Sequence, residues 1–112
     1  MYSFKLLEGE KVVKKGLGNL TIEDSVLNGA MYLTTERLVF VGYLLENAEN
    51  KFSTDLSLYH IAELQKEKTF YIIPNVLVIR SIQDVVWRVG IGKRDSWYDA
   101  IEAAIQQTEQ QA

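Results

Sequence analysis

The stretch Gly29-Ala30-Met31-Tyr32-Leu33-Thr34-Thr35-Glu36-Arg37-Leu38-Val39-Phe40 decides the fold of this chain of 112 residues. Residues 30–34 and 37–43 are rich in β-branched and aromatic side chains, which favour strands. Only Thr35 and Glu36 separate the two runs, and a polar pair of this length suits a tight turn between antiparallel strands. The stretch therefore predicts a β-hairpin.

On the N-terminal side of the hairpin, one further run of strand-forming residues precedes a group of turn residues. Residues 10–20 predict a weak strand containing Gly16 and Gly18, where a bulge or a close backbone approach is the usual reason for glycine. The pairs Asp24-Ser25 and Asn28-Gly29 are typical of turns. We therefore expect a loop bounded by these two pairs to lead into the hairpin.

On the C-terminal side, residues 52–61 predict a fourth strand after a polar loop. Residues 69–73 and 76–81 predict a fifth and a sixth strand, on either side of a turn at Pro74-Asn75, because proline presets a turn and cannot donate a ladder hydrogen bond. Residues 84–91 predict a seventh strand, since their apolar side chains alternate. One face of that strand carries Val85, Trp87, Val89 and Ile91.

Near the C-terminus, the spacing between apolar residues changes from two positions, as in a strand, to about four, as in a helix. Ser96 and Asp99 have the spacing of a helix capping box. A helical stripe of apolar residues follows, consisting of Trp97, Ile101, Ala104 and Ile105. The opposite face carries Asp99, Glu102 and Gln106. We predict one helix beginning within a residue or two of Ser96, with a polar tail that frays from about residue 107.

Short strands followed by one helix indicate an all-β fold, either an antiparallel barrel or two packed sheets, with the helix closing an end. The length of 112 residues fits a single domain over residues 1–112. The absence of cysteine excludes disulfides and thiolate metal sites, and it permits a reducing compartment, so we expect a cytoplasmic protein that could still meet a membrane surface. A net charge of -3 argues against nucleic-acid binding.

Catalytic chemistry has little support in the sequence. His60 is the only histidine and there is no cysteine, so we expect a structural or surface role for His60 rather than a metal site. The turn Gly90-Ile91-Gly92-Lys93-Arg94 precedes the helix, but a phosphate-binding loop would need glycine in place of Trp87 and serine or threonine in place of Arg94. We predict no enzyme, no metal, no cofactor and no small-molecule substrate.

The hairpin stretch resembles the hallmark of GRAM domains, which is a glycine, an apolar strand ending in Leu-Thr, a short turn and then Arg-Leu-x-Phe. Leu7-Glu8-Gly9-Glu10 resembles the opening segment of the family, and His60-Ile61-Ala62-Glu63-Leu64 resembles its fourth-strand segment. Trp97 is similar to the tryptophan in the C-terminal helix of pleckstrin-homology domains. The resemblance covers residues 7–106. It implies a pleckstrin-homology-like fold of about seven antiparallel strands in two orthogonal sheets.

The resemblance also implies a module that binds lipid or protein. Phosphoinositide binders of this superfamily carry basic residues in the first inter-strand loop, whereas this chain has Ile22-Glu23-Asp24-Ser25-Val26 there and adds Glu46 and Glu49 after the third strand. An acidic mouth repels phosphate. The remaining basic residues of interest lie on the first and the last two strands, and are Lys14, Lys15, Arg80 and Arg88. They form either a lipid-binding face or an ordinary solvated one.

Side-chain parity predicts an apolar face on the sixth and seventh strands. Arg80 and Arg88 mark the solvent side, which places Val76, Val78 and Val86 outward with them. A contiguous apolar patch marks an interface, although scattered surface valines are ordinary. Our leading hypothesis is a non-enzymatic module that binds a protein partner or self-associates through this sheet surface. The alternative is a peripheral membrane module that binds anionic lipid through its lysines and arginines.

Overall fold

Within the described residues, seven antiparallel strands form one continuous sheet, and a single long helix follows them. The computed structural model describes residues 3–44, 51–69 and 73–111. The elements are β1 (Val12–Ile22), β2 (Ser25–Thr34), β3 (Arg37–Leu44), β4 (Lys51–Ser57), a 3-10 turn (Leu58–His60), β5 (Ile61–Thr69), β6 (Ile73–Ser81), β7 (Val86–Ile91) and α1 (Arg94–Gln111). The strand order is β4-β3-β2-β1-β7-β6-β5, which leaves β4 and β5 as the edges. The predicted all-β architecture with one C-terminal helix is confirmed.

The predicted hairpin is confirmed as β2 and β3, joined by Thr35 and Glu36. Leu33 pairs with Leu38 across it. The hydroxyl of Thr34 accepts hydrogen bonds from the backbone N–H groups of Glu36 and Arg37, both at 3.0 Å. This threonine therefore stabilises the turn that joins the two strands.

The predicted loop before the hairpin is wrong, because β2 already begins at Ser25 and only Glu23-Asp24 forms the turn from β1. Asn28-Gly29, one of the two pairs that marked the loop, lies inside β2. A Cβ atom at Gly29 would collide with the carbonyl oxygen of Val41 on β3. The glycine at this position permits a close approach of two backbones and does not mark a turn.

The prediction for the β5–β6 hairpin is also wrong. Pro74-Asn75 lies within β6 instead of forming a turn. The strand β5 occupies Ile61–Thr69, which the residue pattern did not predict as one strand, although the resemblance placed a strand segment at residues 60–64. The connection between the two strands, residues 70–72, lies outside the described residues, as does most of the predicted strand over residues 69–73. The sequence of β5, IAELQKEKT, is highly charged, which suits an edge strand but hides the alternation that identifies a strand.

The inward side chains of the sheet form one core with α1. Leu20, Phe40, Leu77, Trp87, Trp97 and Ile101 are among its buried members. The predicted burial of Trp97 and Ile101 is therefore confirmed, and α1 begins two residues before Ser96. The capping box is wrong, because Ser96 lies inside the first turn of the helix, where its hydroxyl accepts a hydrogen bond from Lys14 Nζ at 3.0 Å. The helix extends to Gln111, and fraying of its tail stays a prediction.

A second, smaller apolar cluster lies on the opposite side of β2 and β3, away from the main core. Its members are Ala30, Tyr32, Val39 and Val41, all of which are buried, and we call this surface the β2–β3 outer face. Phe4 from the N-terminal segment packs against it. The β2–β3 half of the sheet thus buries apolar side chains on both faces.

Candidate interaction surfaces

The solvent side of β6 and β7 carries the predicted valines, and we call this surface the β6–β7 outer face. It is formed by Val76, Val78 and Val86 together with Arg80 and Arg88. Val78 lies opposite Arg88 and Val86 lies opposite Arg80, while the inward residues between them belong to the core. The predicted parity is therefore observed. Val86 is 37% exposed, and Val76 and Val78 are half-buried.

Three ion pairs lie next to these valines on the same face. Arg80 donates to Glu63 at 2.6 Å and to Asp84 at 2.8 Å. Hydrogen bonding to Glu63, and then to Asp84, raises the pKa of Arg80 above its usual value. Arg88 pairs with Glu67 of β5 across the intervening strand β6. Each arginine on this face is thus bound to a carboxylate of its own chain. The face carries both signs of charge, and the Arg88–Glu67 pair crosses β6 beside Val76 and Val78.

The four predicted cations do not form one basic patch. Lys14 faces the helix, where its Nζ lies 5.4 Å from the centre of the Trp97 ring. Lys15 lies on the opposite face of β1, with its Nζ 5.7 Å from the centre of the Tyr32 ring. Arg88 is aligned with Thr21, six residues along β1 from Lys15, which corresponds to about 20 Å at the usual strand rise.

The mouth that the sequence predicts to be acidic corresponds to a cavity beside the β1–β2 turn, which is apolar inside and acidic at its described rim. A cavity of about 240 Å³ is lined by Ile22, Leu27, Leu44 and Phe52 with three hydroxyl residues, and no cation lines it within the described residues. Glu23 and Asp24 are exposed at the adjacent turn. Glu46 and Glu49 lie outside the described residues. In the part of the chain that the structure describes, neither the cavity lining nor the adjacent turn supplies a cation, and Lys51 lies next to the lining residue Phe52 at the start of β4.

The residues considered for catalysis have structural partners instead. His60 is exposed at the end of the 3-10 turn, where its carbonyl accepts a hydrogen bond from Ile82 N at 2.8 Å. Arg94 donates to the carbonyl of Glu67 at 2.7 Å and to the carboxylate of Asp95, which joins the start of α1 to β5. Across residues 3–44, 51–69 and 73–111, no group of three histidine, aspartate or glutamate side chains is arranged to hold a metal ion.

Sequence reasoning missed a buried ion-pair network beneath the N-terminal segment. Arg37 Nε donates to Glu10 at 2.9 Å, and the side chain of Glu10 is fully buried. Thr34 and the N–H of Leu7 also donate to Glu10. Burial alone raises the pKa of Glu10, but the hydrogen bonds from Arg37, Thr34 and Leu7 outweigh it and lower the pKa to about 2.

Both residues of this pair belong to the motifs quoted in the sequence: Glu10 ends the Leu7-Glu8-Gly9-Glu10 segment, and Arg37 follows the hairpin turn. A glutamate and an arginine 27 positions apart do not by themselves indicate contact. The hairpin aligns them, since Thr35 N donates to the carbonyl of Lys11 at 2.9 Å and holds the start of β1 beside the turn.

Comparison with known proteins assigns the chain to a family. The model of the GRAM domain matches residues 1–110. A crystal structure of the C-terminal domain of an unknown protein from Leishmania infantum is similar, with a TM-score of 0.70, 18% sequence identity, and coverage of 88% of this chain and 87% of that one. No curated protein matches the sequence at a significant level. Among the described residues, no helix has the length and apolar character needed to cross a membrane. The fold is pleckstrin-homology-like, and the chain belongs to the GRAM domain family.

Proposed function

We propose that this GRAM domain is a non-enzymatic interaction module and that the β6–β7 outer face is its docking surface for protein. The observation that carries the proposal is the arrangement of Val76, Val78 and Val86 on a sheet face that α1 does not cover, because α1 packs against the opposite, inward side chains. Ile82, directly after β6, extends the apolar surface and is 59% exposed. Clustered exposed apolar residues with polar neighbours are typical of interaction sites.

The charges around the valines favour a second copy of the chain as the partner. Arg80 and Arg88 lie beside Glu63, Glu67 and Asp84 on the same face. A surface that carries both signs of charge beside an apolar strip is able to face its own copy across a two-fold axis, where cations meet carboxylates. The same surface would accept another protein with a similar distribution of charge.

The size of the face predicts weak association. Three strands at about 4.8 Å spacing and nine residues of β6 cover roughly 400 Å². This is about half of the 800 Å² that each partner contributes to a standard stable complex. We therefore expect self-association at concentrations of tens to hundreds of micromolar, with a cytoplasmic location as part of the proposal.

A peripheral membrane role through Lys14, Lys15, Arg80 and Arg88 has weaker support. Binding to anionic lipid gains about 1 kcal/mol for each basic residue near the surface, provided that the residues reach the surface together. The two arginines are paired with carboxylates, and the two lysines lie on opposite faces of β1. This geometry favours the protein-binding proposal over the lipid-binding one.

Light scattering over a concentration series tests the proposal. We expect the average mass of the wild type to rise above that of a monomer at roughly 100 μM, in accordance with the small interface. Val78→Glu should remain monomeric, because it places a hydrated carboxylate in the centre of the apolar strip, where a partner would have to desolvate it. Val13→Glu is the matched control, since Val13 is a 59% exposed valine on β1 that lies on the helix side of the sheet, beside Ala100. A monomeric wild type, or equal loss of association in both variants, would contradict the proposal.

A further inference from the structure

The chain's own N-terminal segment packs on the β2–β3 outer face. The N-terminal segment, residues 3–9, is not part of any strand, and Phe4 lies edge-on to Tyr32 with ring centroids 4.8 Å apart at 61°. Beneath these rings lie Ala30, Val39 and Val41, which are at most 1% exposed. This is the geometry of an aromatic side chain bound on an apolar floor.

Polar contacts fix the backbone of the segment beside the aromatic contact. Arg37 Nη2 donates to the carbonyl oxygen of Lys5 at 3.0 Å. The guanidinium carbon of Arg37 also lies 5.5 Å from the centre of the Phe4 ring, within the range of a cation–π interaction. Arg37 thus contacts both an aromatic side chain and the carbonyl of the following residue. A carbonyl is present in every peptide, so this recognition needs only an aromatic residue from the bound sequence.

The segment is joined to the rest of the protein in a way that permits exchange. Gly9 has a φ of +79° in the turn that precedes Glu10, and the turn is closed by a hydrogen bond from Glu10 N to Leu7 O at 3.0 Å. Glu10 remains bound to Arg37 and Thr34 through its own side chain. The side chains of Leu6 and Leu7 bury little apolar surface, since the two residues are 43% and 55% exposed, and Leu7 is attached only through its backbone hydrogen bonds to Glu10. Segments held by few buried contacts open at a small fraction of the global unfolding free energy.

We propose that the β2–β3 outer face is a binding site for an extended peptide segment carrying an aromatic side chain, and that residues 3–9 are its resident occupant. The partner is a peptide segment of another protein that presents phenylalanine or tyrosine over Tyr32 and a backbone carbonyl to Arg37. This site is separate from the β6–β7 outer face and shares no residue with it.

A peptide of the chain's own residues 1–9 tests this site when it is titrated into the full-length protein and followed through the backbone amide resonances of Tyr32, Val39 and Val41. In the wild type, the attached segment competes at an effective concentration of roughly millimolar. Phe4→Ala in the protein removes the competing ring, so we expect the peptide to bind this variant at least about tenfold more tightly. Leu7→Ala is the matched control from the same segment and should behave as the wild type.

Three results would overturn the proposal. One is the absence of shifts at these amides in the Phe4→Ala protein, and another is equal affinity for the wild type and both variants. The third is equal binding of a peptide that itself carries Phe4→Ala, because the aromatic ring is the feature being recognised. If the alanine variant loses its native amide dispersion, Phe4→Leu provides the same comparison, since leucine retains apolar bulk without a ring. A shift confined to Val76, Val78 and Val86 would assign the peptide to the other surface and would also refute this site.

Discussion

The outer faces of the two halves of the sheet differ in how far they are buried. On β2 and β3 the outer apolar residues are covered by the N-terminal segment, and Val39 is 1% exposed. On β6 and β7 the corresponding valines are open or half-open, and Val86 is 37% exposed. Both faces are apolar because their strands carry hydrophobic residues in both parities, a pattern that requires cover on both sides. The first face is covered by its own chain, and the second is the one that we propose as the docking surface.

The ion pairs of the two halves also differ in burial. Arg37 and Glu10 form a pair in which the carboxylate is completely buried beneath the N-terminal segment. Arg88 and Glu67 form a pair in which both side chains are substantially exposed. A buried pair is strongly destabilising to break, whereas an exposed pair contributes little. The pair of Arg37 and Glu10 therefore stabilises the fold, whereas the exposed pairs on β6–β7 are the ones that we propose to take part in recognition.

The largest expected effect is that of Arg37→Ala, which leaves the carboxylate of Glu10 buried without its cation. We expect a loss of about 3 to 5 kcal/mol in the free energy of unfolding, measured by urea denaturation. Arg88→Ala is the matched control on the other face, and it should cost less than about 1 kcal/mol. Equal costs for the two substitutions would remove the distinction between the two faces.

A fall in pH should have a somewhat smaller effect on the free energy of unfolding, through protonation of Glu10. Its pKa is lowered from 4.5 to about 2 in the folded protein, so its contribution to stability is present above pH 4.5 and is lost as the pH falls towards 2. The shift corresponds to about 3 kcal/mol. Urea midpoints of the wild type should therefore fall over this range more steeply than those of Glu10→Gln. Parallel pH profiles for the two proteins would show that Glu10 does not have this role.

Removal of the covering ring should have an intermediate effect. Phe4 is half-buried, so Phe4→Ala should lower the free energy of unfolding by about 1 to 2 kcal/mol. Leu17→Ala removes a 70% exposed leucine from β1, and its effect should stay within about 0.5 kcal/mol. A cost for Phe4→Ala no larger than that of Leu17→Ala would mean that the segment does not cover the β2–β3 outer face in solution.

The smallest effect is expected for Lys14 and Lys15. Co-sedimentation with vesicles of anionic lipid should be weak for the wild type and nearly unchanged by the Lys14→Ala, Lys15→Ala double substitution. The reason is that these lysines contact Trp97 and Tyr32 on opposite faces of β1. Strong, salt-sensitive binding that disappears in the double variant would instead support the membrane proposal.

The sequence predicted those parts of the fold in which local chemistry and tertiary structure agree. The β2–β3 hairpin, the alternation in β7 and the apolar stripe of α1 all follow from residues close together in the chain. The sequence failed at Asn28-Gly29 and at Pro74-Asn75, where turn-forming residues lie inside strands. The close backbone approach at Gly29 depends on a neighbouring strand and is not encoded locally.

The candidate surfaces were only partly predictable for the same reason. Parity was sufficient to place Val76, Val78 and Val86 on one side of the sheet. It gave no indication that Arg80 and Arg88 would be bound by Glu63 and Glu67 of β5. The role of Phe4 was equally hidden, because its contact with Tyr32 spans 28 positions and follows no periodicity.

The most direct test of the central claim measures which residues sense a second molecule. Backbone amide shifts of the wild type, recorded from about 20 μM to about 200 μM, report weak association residue by residue. We predict concentration-dependent shifts at Val76, Val78 and Val86 and none at Val39 and Val41, which the N-terminal segment covers. Constant shifts on β6 and β7 over this range, or shifts confined to β2 and β3, would contradict the account.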